Sequence, residues 1–306
     1  MRFKILNLIR CKNLIIIILV QLLIKYALLE PFGVQTSLNL LGMLCLTCAT
    51  ICIAAAGYII NDINDIKTDL INKPNKIIIG SSISKKSAYY LFVFFNIIGV
   101  GLGFYLSYIL NKTAFFSIFI FISITLYIYA IYLKRTILVG NILISILVAF
   151  SIIIVGVFEL LPSITSYNQQ THSFFFKVIL DYAWFAFIIN LLREIVKDIE
   201  DLNGDYNSGM QTLPILLGRE RTKNILSFLN FIPLAAIIHH ITTNLYKQPV
   251  VVAYYLLFIV APLLYICIKT FSAKTKKDFN HLSNMYKIVM VFGILSLLLF
   301  KYVILK

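Results

Sequence analysis

The chain has 306 residues, of which 60% are hydrophobic and only 13% charged, and its mean hydropathy is +0.91. Those figures exclude a soluble globular domain and a disordered chain, and describe an all-α polytopic membrane protein. The net charge of +14 calls for no nucleic acid, because the basic residues follow membrane sidedness and attract anionic lipid headgroups.

A hydrocarbon layer about 30 Å thick needs roughly 20 apolar residues per helix. The chain divides into nine such stretches, at 13–30, 39–60, 87–110, 114–133, 137–160, 175–193, 223–244, 250–270 and 285–305. The first follows the basic segment MRFKILNLIRCKN, as a signal peptide would. No small-residue cleavage site follows it and eight further spans do, so it reads as a helix of the mature protein. In the second span Cys45, Cys48 and Cys52 recur at helical spacing; with no His beside them they read as small apolar packing residues. Lys25 and Glu159 come nearest to span interiors, and each is expected to reach water at a helix end. No linker or low-complexity tract interrupts the series, so the expectation is one membrane domain over 1–306. With the N-terminus inside, most of the 27 Lys and Arg fall on one side, around Arg10, Lys73, Lys134, Arg193 and Lys274. Basic residues stay cytoplasmic, which places the N-terminus and the loops after spans two, four, six and eight on the inner face of a bacterial or archaeal cell membrane.

Six of the eight Asp lie directly after spans two and six, as Asp62, Asp65 and Asp69 and as Asp198, Asp201 and Asp205. Both triplets have the spacing i, i+3, i+7, which on a helix confines three carboxylates to a sector of roughly 60°. Both are expected on the cytoplasmic side, where they face each other. Two facing rows of carboxylates repel unless cations lie between them. All-oxygen ligands suit Mg²⁺, which binds through one or two carboxylates together with substrate phosphates, so a diphosphate is the natural third party. Lys134 and Arg135 after span four, Arg193 and Lys197 before the second row, and Lys73 and Lys76 after the first supply positive charge for it. A cation transporter is the alternative from another class, but no acid lies mid-membrane to form a path. The four His form no ligand motif.

These residues match a known pattern. Asn61-Asp62-x-x-Asp65-x-x-x-Asp69 resembles the first aspartate-rich motif of the UbiA superfamily of intramembrane prenyltransferases, and Asp201-x-x-x-Asp205 resembles the second. Tyr129-x-x-Tyr132-x-Lys134-Arg135 is similar to the Tyr/Lys pattern this family carries after span four, and Arg10-x-x-Asn13 to its opening. The resemblance covers nearly the whole chain. It implies nine helices around a central cavity, Mg²⁺ between the motifs and a prenyl diphosphate, an apolar tunnel open to lipid, and transfer of the prenyl group to a lipophilic acceptor. Position by position it implies Mg²⁺ ligands at Asn61, Asp65, Asp201 and Asp205, joined from the same rows by Asp69 and Asp198. Asp65, Asp69, Asp201, Asp205 and Lys134 become the catalytic set, and Asn13, Asn61, Asp62, Tyr132, Arg135, Arg193 and Lys197 the substrate-binding set.

The stretch REIVKDIEDLNGDYNSGMQTLPILLG, from Arg193 to Gly218, resembles the branch that prenylates geranylgeranylglyceryl phosphate. Geranylgeranyl diphosphate is then the implied donor. The chain departs from that branch at Lys76-Ile77, where Arg-Pro is usual, and at Gly80-Ser81, where Ser-Gly is usual. Arg to Lys loses a bidentate phosphate grip, which leaves an aromatic acceptor of quinone or pigment biosynthesis as the alternative.

Overall fold

The computed structural model describes residues 2–74 and 77–301, without the side chains of Arg2 and Phe3. Lys76 and the end of the ninth expected span, 302–305, lie outside the described residues. Among the described residues nine helices are long and apolar enough to cross a membrane. They are α1 Cys11–Phe32, α2 Leu40–Asn64, α3 Lys85–Ile109, α4 Thr113–Ile131, α5 Val139–Glu159, α6 Gln169–Asn207, α7 Arg219–Leu245, α8 Pro249–Ser272 and α9 Lys276–Leu299. In lipid every backbone N–H and C=O must pair within its own segment, so long Leu/Ile/Phe runs form helices despite their β-branched residues. Polar residues mark the starts: Asn39 accepts from the Gly42 N–H at 2.9 Å before α2, and Ser84 from the Ser87 N–H at 3.0 Å before α3. Thr275 and Asp278 form a capping box at α9.

The largest departure from the expected spans is α6. Read as 175–193, it runs unbroken over 39 residues, Gln169–Asn207, roughly 58 Å at 1.5 Å per residue and nearly twice the hydrocarbon thickness. Its last turns, rich in Asp and Glu, look like a loop by hydropathy. They stay helical because α9 and the short helix Ile66–Asn72 pack along them.

α2 packs along α3 and against α4, α6 packs between α5 and α9, and α1 touches α2, α5 and α9. Gly99 permits the closest of these approaches, since a Cβ there would lie 2.6 Å from Ile53 Cγ1. One core gathers Leu46, Ile53, Val155, Phe158 and Ile179, and a second Ile199, Ile266, Phe279 and Tyr286.

Lys25 and Glu159 correct an expectation, for neither reaches water. They are 1% and 0% exposed, with Nζ 2.7 Å from Oε1. Lys25 also donates to the Leu38 carbonyl, and Glu159 Oε2 accepts from the Leu38 N–H at 3.0 Å. A charge so placed is tolerable only when paired and hydrogen-bonded, and each residue supplies what the other needs.

Candidate active site

A cavity of about 1220 Å³ opens between α1, α2, α4, α5, α6 and α9. Part of its lining is apolar, with Ile16, Ile53, Phe119, Leu126, Phe150 and Ile154. The rest is polar and contains all six motif aspartates.

The first acid row is not carried on one helix, as its spacing implies. α2 ends at Asn64, Asp65 leaves helical geometry at φ −92° and ψ 1°, and the chain restarts as Ile66–Asn72. The break still leaves Asp62, Asp65 and Asp69 on the cavity wall. The second row keeps its expected spacing on unbroken α6. Asn72 ties the rows together, its Nδ2 donating to the Asp201 carbonyl at 2.8 Å and its Oδ1 accepting from the Gly204 N–H at 3.0 Å. Gly204 is required there, because a Cβ would collide with the Asn72 amide. The Thr68 and Ser208 hydroxyls add a second tie at 2.7 Å.

Each carboxylate has a distinct setting. Asp62 pairs with Arg10 at 2.9 Å, and that guanidinium lies 4.9 Å from the centre of the Tyr58 ring. Arg10 adopts the left-handed region at φ 51°, a strained conformation for a residue with a side chain, which aims the guanidinium inward. Asp65 accepts from Asn61 Nδ2 at 2.6 Å and pairs with Lys134, whose Nζ is 3.4 Å from Asn61 Oδ1. Asp198 accepts from Asn141 Nδ2 at 2.8 Å. Asp201 pairs through Oδ2 with Lys73 at 2.6 Å, while among the described residues its buried Oδ1 accepts no hydrogen bond and has only the Lys276 Nζ, 4.0 Å away, as a charge partner. Among the described residues the carboxylates of Asp69 and Asp205 accept none either. Burial first, and then the negative charge of Asp65, pushes the Asp69 carboxyl up to about 6.

The fit to a metal follows from these settings. Among the described residues no three acids converge into a closed cage for one ion. An all-oxygen donor set, an orphaned buried oxygen on Asp201 and lysines drawn onto Asp65 and Asp201 fit Mg²⁺ that is completed by substrate phosphates.

Of the other expected site residues, Asn13, Asn61, Lys134, Arg193 and Lys197 line the cavity. Tyr132 and Arg135 do not, which corrects their expected placement. Tyr132 ends α4 with 67% of its surface exposed, and Arg135 is exposed in the following turn. That turn places only Lys134 inward, pressed on the start of α5 where Gly140 leaves room: a Cβ there would lie 2.7 Å from Lys134 Cα. The sequence reading singled out none of Tyr58, Asn72, Asn141, Glu194 and Lys287 as site residues. Glu194 accepts from Arg193 at 3.1 Å and from Lys197 at 2.8 Å on the cavity wall. Periodicity offered one signal, since Glu194 lies four residues before Asp198.

Comparison with known proteins bears on the same features. Residues 18–298 match the sequence model of the UbiA prenyltransferase family. The digeranylgeranylglyceryl phosphate synthase of Korarchaeum cryptofilum is 34% identical over 251 residues, 80% of each chain. That of Methanococcoides burtonii is 28% identical over 91% of each. A UbiA homolog from Aeropyrum pernix K1 has the same fold, with a TM-score of 0.67 at 14% identity, covering 92% of this chain and 97% of that one. So does a UbiA homolog from Archaeoglobus fulgidus bound to DMAPP and Mg²⁺, at 0.55 and 16%, covering 96% and 99%. With nine helices among the described residues long and apolar enough to cross a membrane, two acid motifs on one cavity and a family match over nearly its full length, this integral membrane protein belongs to the UbiA prenyltransferase family.

Proposed function

We propose that this chain, acting as one unit over 1–306, transfers a geranylgeranyl group from geranylgeranyl diphosphate to geranylgeranylglyceryl phosphate, with Mg²⁺ as cofactor and the acid rows at the cytoplasmic face. The observation that carries this reading is a single cavity in which two carboxylate rows meet a long apolar wall. Such a lining suits a ligand with a polyanionic head and a hydrocarbon tail.

Asn61, Asp65 and Asp69 on one wall and Asp198, Asp201 and Asp205 on the other would hold Mg²⁺. When bound, Mg²⁺ neutralises the diphosphate and eases its departure from the allylic carbon. Lys134 and Lys73, paired here with Asp65 and Asp201, would be the cations to hold the phosphate oxygens once a metal ion took up those carboxylates. The apolar wall excludes water, which would otherwise capture the developing carbocation, and the rings of Tyr58 and Tyr129 offer it π faces. The bond from the allylic carbon to diphosphate breaks, the glycerol hydroxyl oxygen forms the new ether bond, and its proton is released. The Korarchaeum and Methanococcoides relatives are digeranylgeranylglyceryl phosphate synthases, and their shared acceptor supports this one. The two motif departures, at Lys76 and at Gly80-Ser81, favour no aromatic acceptor by themselves.

The test is purified protein with Mg²⁺, labelled geranylgeranyl diphosphate and a panel of geranylgeranylglyceryl phosphate, 4-hydroxybenzoate and dihydroxynaphthoate. The expected result is an ether product with the glycerophosphate alone, lost on adding EDTA. A product only with an aromatic acceptor overturns the assignment.

A further inference from the structure

Besides Lys4, which donates to the Ser82 hydroxyl at 2.6 Å, the cavity wall carries two groups of cations. Lys73 and Lys134 belong to the acid rows, paired with Asp201 and Asp65. The second set lies on the wall formed by the start of α1, by α6 and by α9, and consists of Arg10, Arg193, Lys197 and Lys287. Glu194 serves two of these, at 3.1 Å from Arg193 and 2.8 Å from Lys197. Asp62 serves Arg10. Lys287, half-buried on α9, donates from Nζ to Asn13 Oδ1 at 3.0 Å, and among the described residues it pairs with no carboxylate. Asn13 is itself oriented by its Nδ2, which donates to the Tyr58 hydroxyl at 3.3 Å.

Four cations therefore share two carboxylates inside a partly apolar cavity. An uncompensated charge in such surroundings is costly, and a site that keeps one is built for an anion of opposite sign. The metal-diphosphate is not that anion, because its place lies between the acid rows. Arg193 stands five positions before Asp198, about 7.5 Å nearer the membrane interior along α6, and Lys197 directly precedes Asp198 at the edge of the second acid row.

We infer that Lys287, Arg193, Lys197 and Arg10 form a phosphate site for the headgroup of the acceptor, adjoining the acid rows at Asp62 and Asp198. The inference rests on the glycerophosphate acceptor proposed above. It separates Arg193 and Lys197 from the diphosphate contact expected of them. A phosphate monoester held there leaves two glycerol carbons between the phosphate ester and the free secondary hydroxyl, which reaches toward the acid rows to meet the allylic carbon. The same site explains how an acceptor without a phosphate is refused, since the excess positive charge of this wall would be left unmatched.

Lys287 is the best probe, being the one of these four cations that has no acidic partner among the described residues. In the purified full chain, Lys287→Met keeps the apolar stem and removes the charge, while Lys287→Arg keeps the charge. Losing one charge-assisted hydrogen bond raises the KM for geranylgeranylglyceryl phosphate by about tenfold or more. The KM for geranylgeranyl diphosphate stays within about twofold, and Lys287→Arg recovers most of the loss. Dephosphorylated geranylgeranylglycerol, a poor acceptor of the parent protein, is used equally by parent and Lys287→Met. An unchanged acceptor KM, or equal rises for both substrates, overturns the inference while the proposed function stands. Binding of geranylgeranylglyceryl phosphate measured directly separates the two claims. Binding that depends on Lys287 without turnover overturns the proposed function and keeps the site, and no binding with no turnover overturns both.

Discussion

Asp201 occupies the position at which one residue decides most. Its Oδ2 is paired with Lys73 and its backbone carbonyl with Asn72, yet among the described residues its buried Oδ1 has no hydrogen-bond donor. Asp201→Asn keeps the shape and removes the charge a cation needs. Prenyl transfer is expected to fall by about a hundred- to a thousandfold, the loss typical of one group stabilising charge in the transition state. The protein should still insert and purify normally, as checked by gel filtration beside the assay. Lys134→Ala is expected chiefly to raise the KM for prenyl diphosphate, because it removes a contact made with bound substrate. Steady-state kinetics with the donor varied check this, and unchanged constants would take Lys134 out of the site. Acidity gives a third test at this scale. The Asp69 carboxyl is raised to about 6, so the fold carries a cost for its charged form that is present above pH 6 and relieved as pH falls toward its unfolded value near 4. Mg²⁺ competes with that proton. The rise in Tm on adding Mg²⁺ is therefore expected to be smaller at pH 5 than at pH 7, and an equal rise would remove Asp69 from the metal set.

The elements show how the rows are held in register. α2 stops at Asn64, and the short helix Ile66–Asn72 is docked on α6 through Asn72, against the one face of α6 that Gly204 leaves bare. Gly204→Ala thrusts a methyl into the Asn72 amide and should separate the two rows. The expectation is a large loss of kcat with a Tm lowered by only a few degrees, since the apolar cores lie elsewhere. Here lies the limit of what the sequence reveals. The spacing of the two triplets is plain in the chain, and so are nine spans, because membrane hydropathy and the period of a helix are local properties. The break at Asp65 and the continuation of α6 to Asn207 are not local, since packing between Ile66–Asn72, α6 and α9 decides both. Lys287 goes unnoticed in the sequence because nothing in its neighbourhood announces Asn13, 274 positions away. Tyr132 and Arg135 read as site residues because a motif names neighbours without saying which way a turn aims them.

For the whole molecule, the balance lies between burying charge and keeping a cavity inside a membrane. The pair Lys25 and Glu159 joins α1 to α5, away from the acid rows. Lys25→Met strands a buried carboxylate and is expected to cost about 3 to 5 kcal/mol. The double variant Lys25→Met with Glu159→Leu should recover most of that, which thermal unfolding in detergent will show. The cavity is different, for its charges are left partly unmatched, and the proposed substrates supply what is missing: a metal-diphosphate for the acid rows and a phosphate monoester for the basic wall. The central claim is that the two rows hold the diphosphate together through Mg²⁺. Binding of a non-hydrolysable thiolo analogue of geranylgeranyl diphosphate to the parent protein, Asp65→Asn and Asp201→Asn, each with Mg²⁺ and with EDTA, tests it most directly. Tight binding only by the parent and only with Mg²⁺ is the predicted result, whereas equal affinity in all three proteins regardless of the metal would contradict the account.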